Sequence, residues 1–249
     1  VLAALVMAVV IVVLLALVAL TGVGVALSWA PDRPVETLTA RWAPLPSQFV
    51  PLQGMQVRLR DEGPRTDPQP IVLLHGTSAS LHTWDGWAAD LSVTRRVIRF
   101  DLPGFGLTGP SPDGDYSMAR YTAFVSAMMQ ALGVTRYVLG GNSLGGEIAW
   151  ETALANPARV DRLILVDAAG YPSNGSMPIG FRLAQMPGIS HISQYTLPRS
   201  VVEASVRDVY GDPSKVTPEL VDRYFDLTLR AGNRAAVTQR FAQSNRGSN

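Results

Sequence analysis

With 249 residues, 47% of them hydrophobic and 16% charged, the chain is long enough for one sizeable core and short enough for one or at most two domains. A net charge of +1, with neither sign gathered into a run, argues against a nucleic-acid surface and against a charged tail for a polyelectrolyte partner. The absence of cysteine removes thiolate nucleophiles, thiolate metal sites and any disulfide framework.

Residues 1–30, VLAALVMAVVIVVLLALVALTGVGVALSWA, carry no charged side chain. About 20 apolar residues suffice to cross the hydrocarbon core of a bilayer, so this run is expected to be a single transmembrane anchor. A signal peptide has a shorter apolar region of about 7–15 residues, although Ser28-Trp29-Ala30 weakly resembles a cleavage site. A buried core helix is the third reading. The chain starts on Val1 rather than Met, so its N-terminus is expected to be cut or processed. The basic flank that sets orientation would precede it, which leaves the side of the membrane open.

Residues 31–46 are proline-rich and lack sustained periodicity, as expected of a linker. The stretch 47–170 then alternates between two signals. MQVRLRDEG has period two, while PIVLLHG, RRVIRFDLPG, RYVLGG and RVDRLILVDAAG are short apolar runs that read as buried strands. Between them, LHTWDGWAADL and YTAFVSAMMQALG have helical spacing, the second stopped by Gly133. Continuous apolar strands separated by helices predict an α/β fold, with a mostly parallel central sheet covered by helices.

One local pattern carries chemistry. Gly141-Asn142-Ser143-Leu144-Gly145 is G-x-S-x-G between a predicted strand and a predicted helix, the setting of a nucleophile elbow. Glycine on either side lets strand and helix approach closely, and the helix N-terminus turns backbone N–H groups toward the place where an oxyanion would form. Read alone, the pentapeptide is a glycine-serine turn that chance can produce. Two companions strengthen it: His75-Gly76-Thr77 at the end of one strand, and the tight loop DLPGFGLTGP after another. Thr77 and Leu144 are the expected oxyanion donors through their N–H groups. Asp101, which opens the loop, is expected to organise it by accepting backbone hydrogen bonds.

These three motifs in this order resemble the α/β-hydrolase superfamily, in particular its ester and carbon–carbon bond hydrolases with a helical cap. The resemblance spans about residues 47 to 245. It implies a cap inserted after the sixth strand and a Ser-His-Asp/Glu triad, with the nucleophile at Ser143 and the oxyanion donors at Thr77 and Leu144. Related haloalkane dehalogenases and epoxide hydrolases place aspartate at the nucleophile position, so a serine there argues against both activities.

A serine hydroxyl needs a base, and the chain holds three histidines. His75 lies in the oxyanion loop, where the resemblance implies a structural role, His82 at the start of the next helix and His191 in the expected cap. In the order Ser, acid, His, the base is expected beyond Asn249, together with the last part of the hydrolase core. The acid is either Asp167, at the end of the sixth strand, or a residue also beyond Asn249. Residues 171–245 are expected to form the cap, with a helix capped by Thr217 and begun by Pro218. Phe181, Met186, Tyr195, Tyr210, Tyr224 and Phe225 are candidates to roof a pocket or to fill the cap's own core.

The sequence therefore predicts a membrane-anchored serine hydrolase acting on a small-molecule substrate, a medium-sized, partly hydrophobic ester, without metal or organic cofactor. The alternatives are a carbon–carbon bond hydrolase acting on a vinylogous diketone, a cofactor-free perhydrolase using the same serine, and a catalytically inactive membrane-tethered binding module.

Overall fold

The computed structural model describes residues 2–171, 182 and 195–244. Of the expected site residues, His191, Phe181 and Met186 lie outside this described part. Helix α1 (Leu2–Leu27) is apolar apart from Thr21, whose hydroxyl donates to the Leu17 carbonyl, and buries none of its residues. It is followed by α2 (Val35–Trp42), the strands β1 (Gln48–Leu52), β2 (Met55–Glu62) and β3 (Ile71–Leu74), and helix α3 (Asp85–Leu91). Then come β4 (Val97–Phe100), α4 (Met118–Ala131), β5 (Tyr137–Asn142), α5 (Leu144–Ala155) and β6 (Val160–Val166). Helices α6 (Arg199–Val209), α7 (Pro218–Thr228) and α8 (Asn233–Ser244) complete the described part.

The strands form one sheet in the order β1-β2-β4-β3-β5-β6. Pairs β3/β4, β3/β5 and β5/β6 are parallel, whereas β1/β2 and β2/β4 are antiparallel. The sheet is therefore mixed, with β2 alone running against the other five described strands. The antiparallel share comes from a hairpin that the sequence reading placed partly in the approach to its first strand. Gln53 and Gly54, at φ 50° and 79°, make the two-residue turn joining β1 to β2, and two positive φ values suit the right-handed twist of a hairpin.

The expected linker is also partly folded. Residues 35–42 form α2, whose Leu38 and Trp42 are buried against Leu107 and Leu227. Eight residues between prolines give two turns, too few for a periodic signal.

The core follows the apolar runs. All four residues of β3 and of β4 are buried, and Val72, Leu74, Ile98 and Phe100 pack with Phe124, Met128, Leu139 and Ile148 from α4, β5 and α5. Each such side chain contributes about 1.5–3 kcal/mol by leaving water. Arg99 breaks the apolar run of β4 and is buried, with its guanidinium held by Glu62, the Leu81 carbonyl and Asp85. Strand β6 departs from the expectation of a buried strand: Leu163 and Leu165 are 40% and 42% exposed, because β6 has only β5 beside it among the described strands.

Helix ends match their local chemistry. The Ser117 hydroxyl accepts from the Arg120 N–H at 3.2 Å to start α4, and Gly133, at φ 66°, follows its end. The Thr217 hydroxyl accepts from the Leu220 N–H at 3.1 Å, with Pro218 beginning α7. An N-cap of this kind is worth about 1 kcal/mol.

Candidate active site

Ser143 occupies the single residue between β5 and α5, with φ 52° and ψ −118°. A side chain other than glycine rarely adopts this conformation, at a cost of about 1–3 kcal/mol. Backbone bonds on three sides hold it. The Ser143 N–H donates to the Val166 carbonyl at 3.1 Å, while its own carbonyl accepts from the N–H groups of Glu147 at 3.1 Å and Ala169 at 3.0 Å. The Ser143 hydroxyl caps no N–H of α5. The turn thus presents the hydroxyl instead of using it structurally.

Close packing explains the flanking glycines. A Cβ on Gly141 would lie 2.1 Å from the Gly145 carbonyl oxygen, and one on Gly145 would lie 2.3 Å from that of Leu74. Gly146 is a third such position, unremarked in the sequence, where a Cβ would sit 2.6 Å from the Ala168 Cβ. A Cβ on Gly76 would stand 3.2 Å from the Ser143 Cβ. The loop after β3 therefore abuts the serine, with Thr77 next along it. Leu144 is the first residue of α5 and is buried, so its N–H belongs to the unpaired first turn of the helix. Ser78, just beyond Thr77, has φ 56°, a second left-handed residue that no sequence pattern announced.

The two described histidines are otherwise engaged. His75 is fully buried, its Nε2 accepts the Leu102 N–H at 2.9 Å, and its Nδ1 lies 2.8 Å from the Gly76 carbonyl. An acceptor at Nε2 fixes the proton on Nδ1, which then donates to that carbonyl. Burial lowers the His75 pKa, with Asp101 and the Gly76 carbonyl opposing, in keeping with a ring that accepts at Nε2 and braces the loop after β3 against the loop after β4. His82 has Nδ1 at 2.9 Å from Asp85 and Nε2 at 2.9 Å from the Trp42 carbonyl. It ties α2 to the core.

Asp101 is buried, and its two oxygens accept the N–H groups of Leu81 and Leu107, each at 2.8 Å. Its carbonyl also accepts the Thr108 hydroxyl at 2.9 Å. It organises the loops after β3 and β4, as expected. Asp167 follows β6 at φ 45°, on the turn whose Ala168 packs on Gly146 and whose Ala169 bonds to Ser143.

One residue that sequence reasoning passed over is Glu147, a turn below Ser143 on α5. Burial pushes its carboxyl up, with Arg240 opposing and Glu151 adding to the shift. Arg240 comes from α8 and is itself buried. The spacing Ser143 to Glu147 was visible in the sequence, but α8 lies far along the chain and nothing local signalled its approach.

The family model described as alpha/beta hydrolase fold matches residues 69–196, just over half of the chain. A 2-hydroxy-6-oxo-2,4-heptadienoate hydrolase of Pseudomonas putida is 30% identical over 192 residues, covering 76% of this chain and 64% of that enzyme. An uncharacterized protein of Mycobacterium tuberculosis is 36% identical over 157 residues, covering 62% of this chain and 42% of that protein. The solved structure of a meta-cleavage product hydrolase from Pseudomonas fluorescens matches with a TM-score of 0.64 at 27% identity, over 78% of this chain and 67% of that one. The chain thus spans between 42% and 64% of the length of the two curated relatives. It belongs to the α/β-hydrolase fold family.

Proposed function

We propose that the protein is a serine hydrolase that cleaves carboxylic esters through an acyl-enzyme on Ser143 and is held on a membrane by α1. The observation that carries this reading is the backbone of Ser143, at φ 52° on a strand–helix junction, with its hydroxyl left uncapped. In this mechanism the Ser143 oxygen attacks the ester carbonyl and passes its proton to a histidine. The oxyanion of the tetrahedral intermediate lies between the N–H groups of Thr77 and Leu144, and the alcohol departs with the proton. Water then attacks the acyl-enzyme by the same route in reverse and frees the acid. The base is a histidine other than His75 and His82, whose ring nitrogens already have partners. Asp167 or a carboxylate outside the described residues orients it.

The anchor reading rests on a helix of 26 residues with no charged and no buried side chain, in which an 18-residue stretch has a mean hydropathy of 3.3. A core helix would be buried, which leaves anchor and uncleaved signal as the physical choices. The length of α1 favours the anchor.

A second reading, hydrolysis of a carbon–carbon bond in a vinylogous diketone, is favoured by the names of the Pseudomonas relatives. Assay of the native protein with a short p-nitrophenyl ester beside a ring-cleavage product separates the two. Ester turnover that falls about 10³-fold or more in Ser143→Ala is the expected result. Preference for the ring-cleavage product moves the assignment to the second reading. Ligand binding that survives Ser143→Ala, with no turnover of either compound, would leave an inactive binding module.

A further inference from the structure

The segment leaving α1 does not run free to the hydrolase core. It is latched to the helical part of the chain that follows β6. The Leu197 N–H donates to the carbonyl of Ser28, the residue directly after α1, at 2.8 Å, and the Ala30 N–H donates to the Tyr195 carbonyl at 2.9 Å. Three residues further on, the Arg33 N–H reaches the Leu229 carbonyl at 2.7 Å and the Arg33 carbonyl accepts the Ala231 N–H at 2.8 Å. Side chains repeat the attachment: Asp32 pairs with Arg234 at 2.6 Å, Arg33 with Asp226 at 2.7 Å, and the Trp42 indole N–H donates to Asp226 at 3.0 Å. Residues 195–197 and 229–234 are thereby fixed within a few residues of the end of the anchor.

The place where this latch meets solvent has a distinct chemistry. Trp29 and Tyr195 stack with ring centroids 5.9 Å apart and planes 10° from parallel. They are 57% and 55% exposed, and Leu27, at the end of α1, is 84% exposed. Two large aromatics stacked in the open, just past an apolar helix, lack the burial that would account for them in water. Tryptophan and tyrosine are enriched at the headgroup level of membranes, where an apolar ring body and a polar N–H or O–H both find their solvent. The length of α1 fits that depth. Its 26 residues span about 39 Å at 1.5 Å per residue, against about 30 Å of hydrocarbon and about 40–45 Å with headgroups. Arg33, Asp32 and Arg234 are paired within the protein, so the aromatic pair rather than a lipid charge sets the contact.

We propose that the Trp29–Tyr195 stack sits in the headgroup layer of a phospholipid bilayer and holds the cap against it, so that the site draws its substrate from the membrane. The substrate class is then the acyl ester of a membrane-dissolved amphiphile. This rests on the reading of the protein as an anchored ester hydrolase.

The test uses the native full-length protein reconstituted in phosphatidylcholine vesicles carrying bromine either high on the acyl chains or near their ends. The difference in tryptophan emission between wild type and Trp29→Phe isolates Trp29. The expected result is quenching of Trp29 several-fold stronger by the shallow bromines than by the deep ones. Vesicles that float with the protein but leave Trp29 unquenched overturn the placement while the anchor stands. A protein that does not float overturns both. For the substrate, Trp29→Ser is expected to raise KM several-fold for an ester embedded in the bilayer and to leave a soluble p-nitrophenyl ester unchanged. Equal change in both overturns the membrane supply of substrate. No turnover of either ester overturns the hydrolase reading, and the quenching still reports on the placement.

Discussion

Ser143 is strained, and the groups that hold it there leave no slack. A Cβ on Gly145 would lie 2.3 Å from the Leu74 carbonyl oxygen and 2.6 Å from that of His75. Because these are backbone atoms of β3 and the loop after it, they cannot swing aside. Gly145→Ala is expected to cost about 3 kcal/mol, the upper end for overpacking, read as a lowered denaturation midpoint at unchanged slope. Wild-type stability in that variant would contradict the packing described for the elbow. His75 gives a pH signature. Its folded pKa is depressed below the usual 6.5 by burial, so the unfolded chain takes up the proton that the native brace refuses. Stability from this residue is complete above about pH 6.5 and falls as pH drops, with a slope of up to about 1.4 kcal/mol per unit. Denaturation of wild type and His75→Asn at about pH 7.5 and about pH 5.5 should show a shallower acid limb in the variant. Equal limbs would mean that His75 is protonated in the fold. The glycine-flanked turn at Ser143 was legible in the sequence as a local pattern, and the structural role of His75 came from the resemblance. Glu147 with Arg240 was not legible, because α5 and α8 meet only through the tertiary fold.

At the scale of elements, long periodic stretches were readable and short ones were not. Helix α4 has its helical spacing and its glycine stop in the sequence, and β3 and the first five residues of β5 are unbroken apolar runs. Helix α2 was read as linker because its two buried residues, Leu38 and Trp42, give no repeat to detect. The hairpin turn at Gln53-Gly54 lacks the usual Asn-Gly signal, which hid β1. What α2 gains from its surroundings is specific. The Trp42 carbonyl lies 2.9 Å from His82, and Arg41 and Trp42 both reach Asp226. Helix α1 has no such partners, since none of its residues is buried. Removing residues 2–27 should therefore release the native protein from membranes with little loss of stability. Alkaline carbonate extraction followed by flotation checks this, and a truncated protein that stays in the membrane fraction would show that another surface holds it.

For the whole molecule, the order β1-β2-β4-β3-β5-β6 explains why residues distant in sequence share one site. Strands β3 and β5 are neighbours in the sheet, so the loop after β3 and the elbow after β5 emerge side by side at the same edge. Ligands of open α/β sheets bind beyond such carboxyl ends. The order could not be read from the strands themselves, since buried apolar runs carry no record of their neighbours. At the far side, β6 shows Leu163 and Leu165 partly exposed, and the turn after it, with Asp167, still reaches back to Ser143 through Ala169. The most direct measurement is the mass of the Ser143 peptide after native protein is treated with a fluorophosphonate. A single adduct on Ser143, lost in Ser143→Ala and blocked by a bound ester, is the expected result. An unmodified Ser143 in folded native protein would contradict its role as the nucleophile.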